Sequence, residues 1–138
     1  MIQKLEIPIQ VNNFNDGKIL SLTVEINKII ANFLLDTGAS SSVIDLRKID
    51  KFTSVKPLKS LSVSSLNKEI ETYQVKINKF SIGESTIKNK IFNIIDLINI
   101  NNTLSTNNLK TIDGILGNDI IYELISNIDI KNSLIKLD

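Results

Sequence analysis

An all-β fold is what this sequence predicts, mainly strands with one short helix near the C-terminus and a single domain over residues 1–138. Short segments alternate polar and apolar residues with the period of two that marks a half-buried strand. Clusters of Asn, Asp and Gly separate them as turns, and long stretches with helical periodicity are scarce. With 138 residues and 42% hydrophobic content, the chain is long enough to bury one core of ordinary size.

Lys4-Leu5-Glu6-Ile7-Pro8-Ile9-Gln10-Val11 alternates, and Pro8 confines it to a sheet edge or a strand end. Residues 12–17 form a turn cluster, after which Ile19 to Ile26 reads as a second strand. Asn27-Lys28 is a hairpin turn into Ile29 to Leu35, so Asp36 falls just past a strand end. Ser40 to Asp45 leaves that loop as another strand, and Asp45 to Lys48 starts a single helical turn. Leu61 to Ser65 and Ile70 to Ile77 make a second hairpin with Leu66 to Glu69 at its tip. Residues 80–83 and 87–97 carry more strand, whereas Asn99 to Thr111, rich in Asn, Ser and Thr, reads as a loop. Asp113-Gly114 marks a turn before Ile115-Leu116, and Asn118 or Asp119 caps a short helix over 120–125. Asn127 to Ile130 and Leu134 to Leu137 close the chain around a turn at 131–133. Val24-Glu25-Ile26-Asn27-Lys28 is echoed by Val75-Lys76-Ile77-Asn78-Lys79, and each copy is followed by an apolar pair near a glycine.

Composition narrows the chemistry by exclusion. There is no Cys, His or Trp, which removes thiol nucleophiles, histidine bases, histidine-oriented serine triads and thiolate or imidazole zinc sites. The net charge of +1, with Lys scattered among Asp and Glu, gives no concentrated basic face for nucleic acid. No apolar run approaches the roughly 20 residues that span a bilayer, and the N-terminal residues carry no secretory leader pattern. A soluble cytoplasmic protein is the expectation.

Leu34-Leu35-Asp36-Thr37-Gly38-Ala39-Ser40 is the stretch that carries chemistry. An ionisable carboxylate is costly beside apolar surroundings unless paired, yet Phe33-Leu34-Leu35 points straight at Asp36. Gly38 then lets another backbone or a ligand come close. The alternative role for Asp36 is an ordinary turn aspartate holding nearby amides. Asp113 and Asp119 read as structural, and Ser40-Ser41-Ser42 lacks a histidine to activate a nucleophile.

Together, Leu34-Leu35-Asp36-Thr37-Gly38-Ala39-Ser40 and Gly114-Ile115-Leu116-Gly117-Asn118-Asp119-Ile120-Ile121 resemble the two signature segments of the retropepsin-like aspartic proteases, including their single-domain bacterial relatives. The resemblance implies the half-barrel of that family and an aspartic endopeptidase acting on peptide or protein substrates. It implies a homodimer in which Asp36 and its symmetry mate form the catalytic pair, since each protomer supplies one aspartate. Two adjacent carboxylates cannot both ionise easily, so the pair shares a proton. One carboxylate activates water while the other stabilises the oxyanion, and the resemblance implies that no metal or cofactor is needed. Thr37, Gly38 and Ala39 become the supporting loop: Thr37 bracing across the dimer, Gly38 offering backbone to substrate. Ser40, Ser64, Ser65 and Leu66 become substrate contacts, the last three from the hairpin tip that covers the site. The dimer interface stays open between interleaved termini (residues 1–9 with 134–137) and a surface around the loop.

Three departures stand out: the hairpin tip Ser62 to Ile70 has no glycine, Asn118 stands where many retroviral relatives carry arginine, and Ser40-Ser41-Ser42 replaces further aspartates. The intact Asp-Thr-Gly favours an enzyme, and the glycine-free tip favours a catalytically silent dimerisation or peptide-binding module of the same fold. Ala39 gives the outer carboxylate oxygen no hydroxyl donor, so activity is expected nearer neutral than strongly acidic pH. A pH–rate profile checks this, and a maximum below about pH 3, under the ordinary Asp range, contradicts it.

Overall fold

The computed structural model describes residues 5–63 and 69–138 of the chain. Among them are eleven strands: β1 (Glu6–Pro8), β2 (Gln10–Phe14), β3 (Gly17–Ile26), β4 (Ile29–Leu35), β5 (Val43–Asp45), β6 (Leu58–Val63), β7 (Glu69–Ile82), β8 (Ser85–Ile95), β9 (Gly114–Leu116), β10 (Ile125–Asp129) and β11 (Leu134–Leu137). Two α-helices, α1 (Ile98–Thr106) and α2 (Asn118–Leu124), interrupt them. The larger sheet has eight strands in the order β2-β3-β4-β9-β5-β8-β7-β6, and an extra β3–β7 pairing curls it back on itself. The smaller sheet has the order β1-β11-β10.

The extra pairing joins the first echoed segment to the end of the second and the residues just after it. Glu25 and Ile26 pair antiparallel with Ser81 and Phe80. The Asn27 amide donates to the Lys79 carbonyl at 2.8 Å, and the Lys79 amide returns to Asn27 Oδ1 at 3.0 Å. Asn27 and Lys28 both adopt positive φ, 50° and 70°, the two-residue turn that matches the twist of paired strands.

Inside the curl lies the main core, centred on Phe33, Phe80 and Phe92, whose ring centroids stand 5.3–6.4 Å apart. Gly114 pairs with Phe33 in the parallel β4–β9 ladder. A Cβ there would overlap the Phe33 ring and the Val43 carbonyl, so only glycine lets these strands meet. A second apolar cluster, Leu34, Val43, Leu97, Leu104 and Ile112, lies apart from the first. Successive strand side chains point to opposite faces: Phe33 and Leu35 enter the main core, and Leu34 enters the second cluster.

Helix α1 corrects the expectation of a loop over residues 99–111, and it makes two helices where one was expected. Its Asn and Thr residues are poor helix formers, but burial of Leu104 and Asn101 holds the helix in place. The Asn101 amide group copies a backbone pair, donating to the Ile112 carbonyl at 3.0 Å and accepting the Ile112 N–H at 2.8 Å. Buried Asp45 takes the Leu97 N–H at 3.1 Å, where the helix starts. Smaller differences follow from local geometry: the helical turn falls at Ile49–Lys51, and residues 80–82 continue β7.

The terminal strands pair within one chain. β11 is hydrogen-bonded on both sides, to β1 and to β10, which form the outer edges of this small sheet. No helix among the described residues is long and apolar enough to cross a membrane.

If the second cluster holds α1 in place, truncating its most buried leucine removes contacts on both sides. Leu104→Ala is expected to lower unfolding free energy by about 2–5 kcal/mol in urea denaturation; a loss below about 0.5 kcal/mol, the size of a surface change, contradicts that packing.

Candidate active-site loop

The loop after β4 is held from below by the strand and helix that follow in the second signature segment. Residues 33–35 run parallel to residues 114–116, and the Asp36 amide continues that ladder by donating to the Leu116 carbonyl at 3.0 Å. The loop then turns tightly: the Ala39 N–H reaches the Asp36 carbonyl at 3.2 Å, and the Gly38 N–H reaches Asp36 Oδ1 at 2.8 Å. This last bond fixes the carboxylate's rotamer and leaves Oδ2 free of any described partner. Asp36 is half-buried, while Thr37 and Gly38 are exposed above it.

Helix α2 and the loop cap each other. The first amides of a helix lack partners within it, and here they turn to loop carbonyls. The Asn118 N–H donates to Ala39 at 2.8 Å and the Asp119 N–H to Ser40 at 3.3 Å. The Asn118 side-chain amide donates to the Thr37 carbonyl at 2.7 Å. Gly117, extended at φ −100° and ψ −177°, occupies the N-cap. A Cβ on it would sit 2.7 Å from the Ser41 carbonyl, so the close approach requires glycine. The helix therefore starts two residues earlier than residue 120, and neither Asn118 nor Asp119 is its N-cap.

Ser42 and Asp119 lock the same junction. Fully buried Ser42 donates to Asp119 Oδ1 at 2.6 Å and accepts the Gly117 N–H at 2.9 Å. Lys90 pairs with Asp119 Oδ2 at 3.2 Å. Asp113 does similar work at the other end of β9: its Oδ2 accepts the Asn32 N–H at 2.8 Å, and Lys48 and Lys51 flank Oδ1 at 3.3 and 3.1 Å.

The expected site residues divide into two groups. Asp36, Thr37, Gly38, Ala39 and Ser40 stand together on one loop, with Ser40 exposed and its carbonyl engaged by α2. Ser64, Ser65 and Leu66 lie outside the described residues. Sequence reading missed Ser42, which bonds both Gly117 and Asp119, and Lys90, which reaches the loop only through Asp119. The spacing offers no sign of them: Ser42 follows Asp36 by six positions and Lys90 by 54.

Burial pushes the Asp119 carboxyl up, but the Ser42 hydroxyl and amide and the Lys90 ammonium outweigh it, holding the group below the ordinary 3.8. Asp113 is likewise raised by burial and lowered further by the Asn32 amide and the two lysines, again ending below 3.8. A carboxyl depressed on folding stabilises fully above its unfolded value and loses that contribution as pH falls through its folded value. Asp119→Asn is expected to cost about 1.5–3 kcal/mol at neutral pH and to flatten the fall of stability as pH drops below about 4. Urea titrations across that range check it; a variant whose acid slope matches the wild type contradicts the assignment.

Comparison with known proteins supplies a lineage for this geometry. Residues 22–120 match the family described as aspartyl protease, a span containing both the Asp36 loop and Gly117. Among solved structures, a retropepsin-like aspartic protease from Rickettsia conorii superposes with a TM-score of 0.65 at 21% identity, over 99% of this chain and 96% of that one. The EIAV protease complexed with the inhibitor HBY-793 gives a TM-score of 0.56 at 21% identity, over 81% of this chain and 93% of that one. No curated protein gives a significant match. The structural likenesses support the retropepsin-like fold, and the family match, covering well over half of the sequence, decides the membership: this chain belongs to the aspartyl protease family.

Proposed function

We propose that the chain is an aspartic endopeptidase whose active site forms between two copies, each a single domain over residues 1–138 and each contributing Asp36. The carrying observation is the seat of Asp36: a half-buried carboxylate on a loop clasped by β9 and α2, with Thr37 and Gly38 exposed beside it. Such a loop holds a reacting group still at little cost when substrate arrives.

A single carboxylate activates water poorly and cannot also donate a proton to the substrate carbonyl. Two brought together share one proton, because like charges a few ångströms apart resist joint ionisation. The ionised member takes a proton from water as the oxygen attacks the scissile carbonyl. The protonated member donates to the developing oxyanion; as the C–N bond breaks, the first carboxyl passes its proton to the leaving nitrogen and the diol returns one to the second. Thr37 braces one loop against the other, Gly38 offers backbone to an extended peptide, and Ala39 with Ser40 borders the substrate. Ser64, Ser65 and Leu66 serve as further substrate contacts.

The glycine-free hairpin tip favours one other reading, a silent peptide-binding module. Cleavage of a peptide library separates the two. Wild type is expected to cut, with a rate per chain that rises with protein concentration until the dimer saturates. Asp36→Asn is expected to reduce kcat by at least about a thousandfold while keeping the dimer. Undiminished cleavage by that variant sinks the mechanism, and a folded wild-type dimer that cuts nothing favours the module.

A further inference from the structure

An open depression beside the Asp36 loop is bordered by Lys18, Ile19 and Leu20 of β3, Leu34 of β4, and Asp36 with Thr37. Its position follows from strand register. β3 and β4 run antiparallel with Ser21 opposite Leu34, so continuing the same register brings Lys18 level with Thr37, just past the strand end. Lys18 and Asp36 are the two charged residues bordering this depression.

Lys18 sits at the start of β3, opposite Asn13 of β2. Its ammonium contacts Asn13 Oδ1, a neutral oxygen that orients the amine without cancelling its charge. No carboxylate among the described residues pairs with it, in contrast to Lys48, Lys51 and Lys90, which each hold an aspartate. The depression thus offers an apolar wall with an oriented positive charge at its rim.

We propose that Lys18 sets substrate preference by pairing with an acidic side chain of the bound peptide. That residue lies beside an apolar one seated against Ile19, Leu20 and Leu34. This inference rests on the peptidase reading for its place in the reaction, but the pairing itself concerns binding and is measurable without cleavage. Asp36 repels an acidic group close to the scissile bond, so the preferred Asp or Glu occupies a flanking position within reach of Lys18.

Peptide pairs differing only by Glu or Gln at each flanking position test it, read as kcat/KM on wild type and as Kd on the Asp36→Asn protein. One position is expected to favour Glu by about two- to fivefold, the worth of one exposed ion pair. The preference should vanish near 1 M salt, where screening acts within about 3 Å. Lys18→Glu should reverse it, favouring Lys over Glu at that position. No preference at any position, a preference unchanged in Lys18→Glu, or loss of the dimer in Lys18→Glu overturns the assignment, the last placing Lys18 between the two copies. A wild type that cleaves nothing, while the Glu preference in Kd persists, overturns the peptidase reading and leaves the Lys18 pairing standing.

Discussion

The clasp between the Asp36 loop and the start of α2 is the constraint on which the rest depends. A loop that presents a carboxylate must satisfy its own carbonyls, and a helix must satisfy its first amides. Each supplies what the other lacks through the bonds from Asn118 and Asp119 to Ala39 and Ser40. Gly117 is the residue that lets them approach, since a Cβ would strike the Ser41 carbonyl. The parallel β4–β9 ladder leads into this clasp, and the Ser42–Asp119–Lys90 chain fastens its far side. Mutual capping of this kind places Asp36 by backbone geometry, leaving its side chain available for chemistry.

Much of this was legible in the sequence because it is carried by local signals. Alternation located most of the strands. The apolar run ending in Asp36 marked the loop, and Gly117 in the later segment marked its partner. The echoed pair of Val-x-Ile-Asn-Lys segments proved to be neighbours in space, closing the sheet through Asn27 and Lys79. What local signals cannot carry is a group that acts from far along the chain. Lys90 braces the loop through Asp119, and nothing in its own neighbourhood announces it.

Helix α1 shows a subtler limit. Its Asn- and Thr-rich sequence argues for a loop by propensity, and tertiary packing overrides that preference. Phe33-Leu34-Leu35 held an unused clue. A continuous apolar run in a strand implies cover on both faces, and one core cannot supply both. Leu34 needs a second layer, and α1 with Leu104 and Ile112 provides it. Leu97, Asn101 and Leu104 also keep helical spacing, although the middle position buries an amide that must find its own partners, which Ile112 offers.

One Asp36 per chain makes the proposed chemistry a property of two chains. The half-buried carboxylate has one oxygen held by Gly38 and needs an equivalent facing it before a proton can be shared. The most direct test is the binding stoichiometry of an uncleavable peptide carrying a hydroxyl in place of the scissile carbonyl, measured by titration calorimetry on the wild-type protein. The account predicts one molecule bound per two chains, with affinity weakened in Asp36→Asn by loss of the contact to that hydroxyl. One molecule per chain, or binding indifferent to Asp36, would contradict a site shared across the dimer.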